Sequence, residues 1–123
     1  MPTQIELSED GRYILVTQHG PVVVTQIKAA RVDSLPLYQN ECDRALVDFR
    51  LADMSNLKLI EIDDMGISVK QEVPKCARIA IVRVLGADDS RYIHLANAHK
   101  IDEIETELFE DMETAKTWLL KAN

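Results

Sequence analysis

Arg78-Ile79-Ala80-Ile81-Val82-Arg83-Val84-Leu85 decides the fold. Its centre, Ile79-Ala80-Ile81-Val82, is wholly apolar, rich in β-branched residues and too short for a helix. A run of that kind is covered on both faces, as a strand inside a parallel sheet is. Ala45-Leu46-Val47-Asp48-Phe49 is a second stretch of the same type upstream. Parallel strands need crossover connections, and helical patterns follow both stretches. Asp53-Met54-Ser55-Asn56 offers N-cap residues, after which Leu57, Ile60, Met65 and Ile67 keep near-helical spacing towards Val73. Pro74 stops that pattern, and Gly66 weakens it from within. Gly86-Ala87-Asp88-Asp89-Ser90 reads as a turn ending in a cap, and Tyr92, Leu95, Ala96 and His99 then share a helical face.

The same reading extends to both ends. Glu105–Phe109 reads as a short last strand, and Asp111 caps a final helix with Met112, Ala115, Trp118 and Leu119 on one side. At the start, Gln4–Leu7 alternates like an edge strand, Glu9-Asp10-Gly11 makes a hairpin turn and Tyr13–Thr17 pairs back. His19-Gly20-Pro21 closes that strand. Val22-Val23-Val24 favours a strand by propensity, but Ile27, Ala30, Val32 and Leu35 sit near helical spacing. A helix is expected from about Thr25, ended or kinked by Pro36. The order is β-β-α-β-α-β-α-β-α. It predicts an α/β fold: a mixed, mostly parallel sheet of about five strands with an N-terminal antiparallel pair, flanked by about four helices. A chain of 123 residues without a Ser-, Gly- or Pro-rich linker makes one domain, residues 1–123.

Composition narrows the function. The chain is 46% hydrophobic, enough for one core, and carries a formal charge of −7. Nucleic-acid binding needs a basic face to displace counterions from phosphates, and the basic residues here are scattered. Anionic membrane surfaces are disfavoured for the same reason, and the longest apolar runs are far too short for membrane insertion. The N-terminus has no basic patch leading into an apolar stretch. Cys42 and Cys76 are isolated, so neither a disulfide framework nor a zinc pair is expected. Free thiols in a reducing cytoplasm are the plain reading.

Three stretches resemble the STAS-like group, founded on bacterial anti-sigma-factor antagonists, and its small stand-alone SpoIIAA-like branch. They are Leu46-Val47-Asp48-Phe49-Arg50 running into Ala52-Asp53-Met54-Ser55, then Arg78-Ile79-Ala80-Ile81-Val82, and the ending Leu108-Phe109-Glu110-Asp111-Met112 through Ala115, Trp118 and Leu119. The resemblance spans about Tyr13 to Leu120. It implies a helix-flanked mixed sheet, a homodimer, a protein partner, and no catalytic residue or cofactor. In anti-sigma-factor antagonists the phosphoacceptor is a serine at a helix start, within Asp-Ser-Ser-Gly. This chain has Asp53-Met54-Ser55-Asn56, without the second serine or the glycine. Asp53, Ser55 and Asn56 are therefore the candidate recognition corner, with Ser55 the candidate phosphoacceptor. A helix N-terminus welcomes a phosphate, although Asp53 opposes it. The structural alternative is a simple helix cap.

Other residues are weighed directly. Asp48 stands in an apolar strand with Arg50 on the same face, either anchoring a ligand at the strand ends or tying down a loop. His94 and His99 diverge by about 140° on a helix, so they do not make a metal pair. A core-edge or pocket-lining ring is the expectation for one of them. Tyr92 and His94, with Asp48 and Arg50, mark a candidate pocket for a small apolar or lipid-like ligand at the strand C-terminal ends. Asp102–Glu113 holds seven acidic residues and no basic one, and reads as a solvated face or a dock for a basic partner. No nucleophile elbow or phosphate-binding glycine loop exists. The function expected is a non-enzymatic regulatory or interaction module, with carriage of a small apolar ligand as the alternative.

Overall fold

A computed structural model describes residues 3–39, 42–84 and 89–121. Five strands form one sheet in the order β1-β2-β3-β4-β5: β1 is Thr3–Leu7, β2 Ile14–Pro21, β3 Arg44–Asp53, β4 Arg78–Val82 and β5 Glu105–Phe109. β1 and β2 pair antiparallel, and every later pair is parallel. The helices are α1 (Val24–Ser34, followed by a 3₁₀ turn at Leu35–Leu37), α2 (Leu59–Ile67), α3 (Val69–Glu72), α4 (Asp89–Ile101) and α5 (Met112–Leu119). The α/β class, the mixed sheet and the antiparallel start are those the sequence predicts.

Several boundaries differ for physical reasons. β2 runs through His19-Gly20-Pro21 instead of closing there, because a bulge after Thr17 lets Gly20 take φ +72° and keep pairing with β3. The helix expected from Leu57 to Val73 is two pieces, broken at Ser68, whose hydroxyl donates to the Asp64 carbonyl. The expected β4 extends to Leu85, whereas the strand ends at Val82, and the turn at Gly86–Asp88 lies outside the described residues. The acidic stretch Asp102–Glu113 has its Glu105 and Glu107 exposed along β5, the last strand of the sheet. Charges there oppose edge-to-edge pairing with another sheet.

Two apolar layers hold the sheet. The larger, on the side of α1 to α4, gathers Ile14, Ala45, Phe49, Ile79 and Ile81 with Ile62, Met65 and Leu95. The smaller lies under α5, where Leu46, Ala80 and Val82 meet Ala115 and Leu119. Strand alternation assigns the layers: Ala45, Val47 and Phe49 face one way, Leu46 and Asp48 the other. α5 starts at Asp111, whose carboxylate accepts from the Thr114 amide at 2.8 Å, and packs across β3, β4 and β5. Its carbonyl end meets three arginines. Arg44 donates to Leu119 O and, at 2.9 Å, to Lys121 O; Arg78 donates to Lys121 O at 2.8 Å; Arg12 reaches Leu120 O at 3.2 Å. Arg78 also stacks over Trp118, 5.1 Å from the ring centre.

Gly66 explains itself by contact. A methyl group on it would lie 2.2 Å from Cβ of Ala98 on α4. α2 and α4 approach that closely only where one side chain is missing. Gly66→Ala is expected to cost about 1–3 kcal/mol through overpacking, despite the gain in helix propensity. Urea unfolding should show a lower midpoint with an unchanged slope. A variant as stable as the parent would mean that the two helices do not touch there.

Candidate functional site

Two places in this fold present unusual chemistry. One is the exposed corner at the carboxyl end of β3. The other is a cavity inside the larger layer.

At the corner, Ser55 and Asn56 are exposed, and so is Asp53. The Asp53 carboxylate accepts from the Ser55 amide at 2.9 Å. Hydrogen bonding from the Ser55 side chain and backbone holds that carboxyl below its ordinary range. The segment is a turn and not a helix start: Leu57 N donates to Met54 O at 3.1 Å, and α2 begins only at Leu59. Burial sets this outcome, since Met54 and Leu57 both point into the core and pin the turn between them. Arg91 on α4 ties it further by donating to Leu57 O at 3.1 Å. The α2 start is secured by Glu61, which accepts from the Lys58 amide at 2.9 Å. The expectation that Asp53 or Ser55 caps the helix is corrected accordingly. The free amides of α2 lie beyond Lys58 and do not begin at Ser55.

The other four candidate residues do not converge. Asp48 and Arg50 lie on the sheet face opposite the large layer, as a two-pronged ion pair with both contacts at 2.9 Å. Burial works against the Asp48 charge, but the Arg50 hydrogen bonds outweigh it and lower the carboxyl's pKa. Tyr92 is buried against Phe49 on the other face, ring centres 5.7 Å apart. His94 reaches across to α2, its Nε2 2.6 Å from Asp63 Oδ1.

The cavity measures about 80 Å³ and lies beneath the middle of the sheet, not at the strand C-terminal ends. Val47, Phe49 and Ile81 form its roof, and Met65 and Leu95 its floor. Its few polar walls come from α1, the following loop and α4: Arg31, Ser34, Tyr38 and His99. Three of these are committed. Arg31 pairs with Glu72 and donates to Met65 O at 2.6 Å. Ser34 donates to Arg31 O at 2.7 Å. Tyr38 sits beside the Cys76 thiol, and burial pushes both groups up, Cys76 to about 11.

His99 is different. Its Nδ1 lies 3.2 Å from Thr106 Oγ1, which itself donates to Ile104 O at 3.2 Å. Thr106 has then used its one hydrogen, so Nδ1 carries the ring proton and Nε2 is a bare acceptor. No donor among the described residues reaches Nε2. Burial, then the nearby Arg31 charge, lowers the His99 pKa to about 3. The helical face shared by Tyr92, Leu95, Ala96 and His99 signalled a pocket-lining ring. Arg31 and Tyr38 carried no such signal, because only packing of α1 against α2 and α3, and of the loop after it, brings them to the same cavity as His99.

Among the described residues no group of three or more His, Cys, Asp or Glu could hold a metal ion, and no helix is long and apolar enough to cross a membrane. Cys42 and Cys76 are free and buried.

The chain has the STAS/SpoIIAA-like fold. An uncharacterised protein of the DUF3478 family with a SpoIIAA-like fold, from Shewanella loihica PV-4, is similar with a TM-score of 0.61 and 24% identity. That match covers 95% of this chain and 91% of the other. An anti-sigma factor antagonist from Mycobacterium paratuberculosis matches with a TM-score of 0.58 and 18% identity, over 97% of this chain and 93% of that one. No family model and no curated protein sequence matches.

A neutral His99 sets a pH dependence. The folded pKa, about 3, lies below the ordinary 6.5, so the unfolded chain binds the proton first. Its burial therefore costs no stability above about pH 6.5, and stability falls as pH drops from there towards 3. The steepest slope is about 1.4 kcal/mol per pH unit. Chemical denaturation at pH 7, 6, 5 and 4 should show that slope in the parent and a shallower one in His99→Gln. Parallel curves would remove the assignment.

Proposed function

We propose that this protein is a non-enzymatic interaction module that binds a protein partner through the Asp53–Leu57 corner and acts as a homodimer in the cytoplasm. One observation carries the proposal: the fold presents Ser55 and Asn56 to solvent on a turn pinned by buried Met54 and Leu57. Apolar residues flank that turn in the chain and are themselves exposed, Leu51 at 67%, Leu59 at 52% and Ile60 at 75%. Exposed aliphatic residues beside a rigid polar turn give a partner both area and register. The similar fold of an anti-sigma factor antagonist supports a protein as that partner. Ser55 is the residue a kinase would reach. A phosphate there would face the Asp53 carboxylate on one side and Arg91 on the other, so modification would change the charge of the partner surface.

A second reading, carriage of a small apolar ligand, is favoured by the cavity beneath the sheet.

Two measurements test the main reading. Sedimentation at micromolar concentration should give twice the 13.9 kDa chain mass. Affinity capture from the native extract should retain one partner with the parent and lose it with Ile60→Asp, while Ser55→Asp changes retention at least several-fold. A monomer with the same captured set for all three proteins would contradict the proposal.

A further inference from the structure

We propose that the homodimer forms by antiparallel pairing of β1 with β1 of a second copy, centred on Ile5, so that two five-stranded sheets join into one. This inference rests on the homodimer reading and names its interface.

The hydrogen-bond pattern of the N-terminal hairpin leads there. In an antiparallel pair, every second residue exchanges its backbone bonds with the neighbouring strand, and the residues between point theirs away. The Ser8 amide donates to Tyr13 O at 2.9 Å, and the register of β1 on β2 sets Leu7 against Ile14, Glu6 against Leu15 and Gln4 against Thr17. Ser8 is thus a bonded position, and so are Glu6 and Gln4. Thr3, Ile5 and Leu7 turn their N–H and C=O groups outward, because β1 is the first strand of the sheet. In a single chain water meets those groups. They are also a template for another strand.

Side-chain chemistry selects that strand and its register. Pairing about Ile5 sets Ile5 opposite Ile5, and Thr3 opposite Leu7 on each side. Every outward group of both strands then finds a partner. On the face of the smaller layer, where Glu6 neighbours Leu15, Gln4 lies opposite Glu6 of the second copy. An amide therefore faces each carboxylate. A centre at Glu6 would set the two carboxylates against each other and leave Thr3 without a partner. A centre at Gln4 would leave Leu7 beyond the end of the opposite strand.

The other edge of the sheet is unsuited. β5 exposes Glu105 and Glu107, and pairing it with itself about Glu107 would oppose like charges. Pairing β1 with β5 would not close on two copies and would build an open chain of molecules. The β1 pair closes by a two-fold axis perpendicular to the sheet. Both larger layers then share one face, with α1 of each copy, which packs against β1, beside the joined strands. β2 separates the Asp53–Leu57 corner, which follows β3, from the joined edge.

The test is sedimentation across a concentration range together with amide hydrogen exchange, both on the whole protein. Exchange carries the signature of the pairing. The Ile5 and Leu7 amides should slow as protein concentration rises, while the Glu6 amide, bonded to β2, is slow throughout. Leu7→Pro removes one outward donor and puts a ring at the edge; Leu7 is 42% exposed, and edge strands accept proline. That variant should raise the dimer dissociation constant about tenfold or more and keep the far-ultraviolet spectrum of the parent. Gln4→Lys should tighten the dimer several-fold by giving each Glu6 a cation, and Gln4→Glu should weaken it by a similar factor. Should Leu7→Pro fail to fold, the exchange pattern and the two Gln4 variants still decide. A dimer that persists in Leu7→Pro, with Ile5 and Leu7 amides insensitive to concentration, would overturn this inference and leave the homodimer reading standing. A parent chain that stays monomeric at every concentration would overturn both.

Discussion

Arg44 and Arg78 face each other across β3 and β4, and the carbonyl end of α5 is what permits it. Like charges directly opposite in a sheet repel, and both guanidinium groups are largely out of water, with side chains 16% and 8% exposed. The last carbonyls of a helix carry partial negative charge and lack internal partners. Placing them between the two arginines satisfies both sets at once. Glu105 on β5 adds a contact to Arg78 at 3.3 Å, and Trp118 adds its ring face. The C-terminal helix is thereby a closing element as well as a cover for the smaller apolar layer. The N-terminal hairpin joins the same knot through Arg12 and Leu120.

That knot sits at the amino ends of the strands, far along the sheet from the Asp53–Leu57 corner at the carboxyl end of β3. The separation is useful. The amino end is built of committed charges and is poorly suited to change. The carboxyl end carries a short turn whose two middle residues point outward and make no core contact. A chemical change at Ser55 therefore alters a surface without disturbing the layer beneath, which is what a recognition corner requires. The cavity belongs to a third region, between α1, α2 and α4. There a close helix approach at Gly66 and Ala98 coexists with unfilled space and an unspent histidine nitrogen.

Much of this was legible from one-dimensional pattern. The strand Ile79–Val82 is a local run whose burial follows from composition, and Glu105–Phe109 is a short run whose exposed glutamates mark a sheet edge. The Asp111 cap and the apolar face of α5 follow from helical period. The corner was legible as to place but not as to shape. Asp53 and Ser55 are good caps by residue type, so a helix start was the natural expectation. Met54 and Leu57 overrode it: both are buried in the core, and the Leu57 N to Met54 O bond closes a turn between them in place of a helix start. Asp48 and Arg50 were correctly read as sharing a face, since period two guarantees it. Their grouping with Tyr92 and His94 failed, since those two lie on the far side of the sheet.

Periodicity and punctuation are properties of neighbours in the chain, and they settled the order of elements, the parallel core of the sheet and the acidic, helix-flanked character of the domain. The meeting of Arg12, Arg44 and Arg78 at the end of α5, and of Arg31, Tyr38 and His99 around one cavity, joins residues from distant segments. Their convergence depends on the angles and heights at which helices dock on the sheet, and those are set by side-chain packing across layers, which no local pattern encodes.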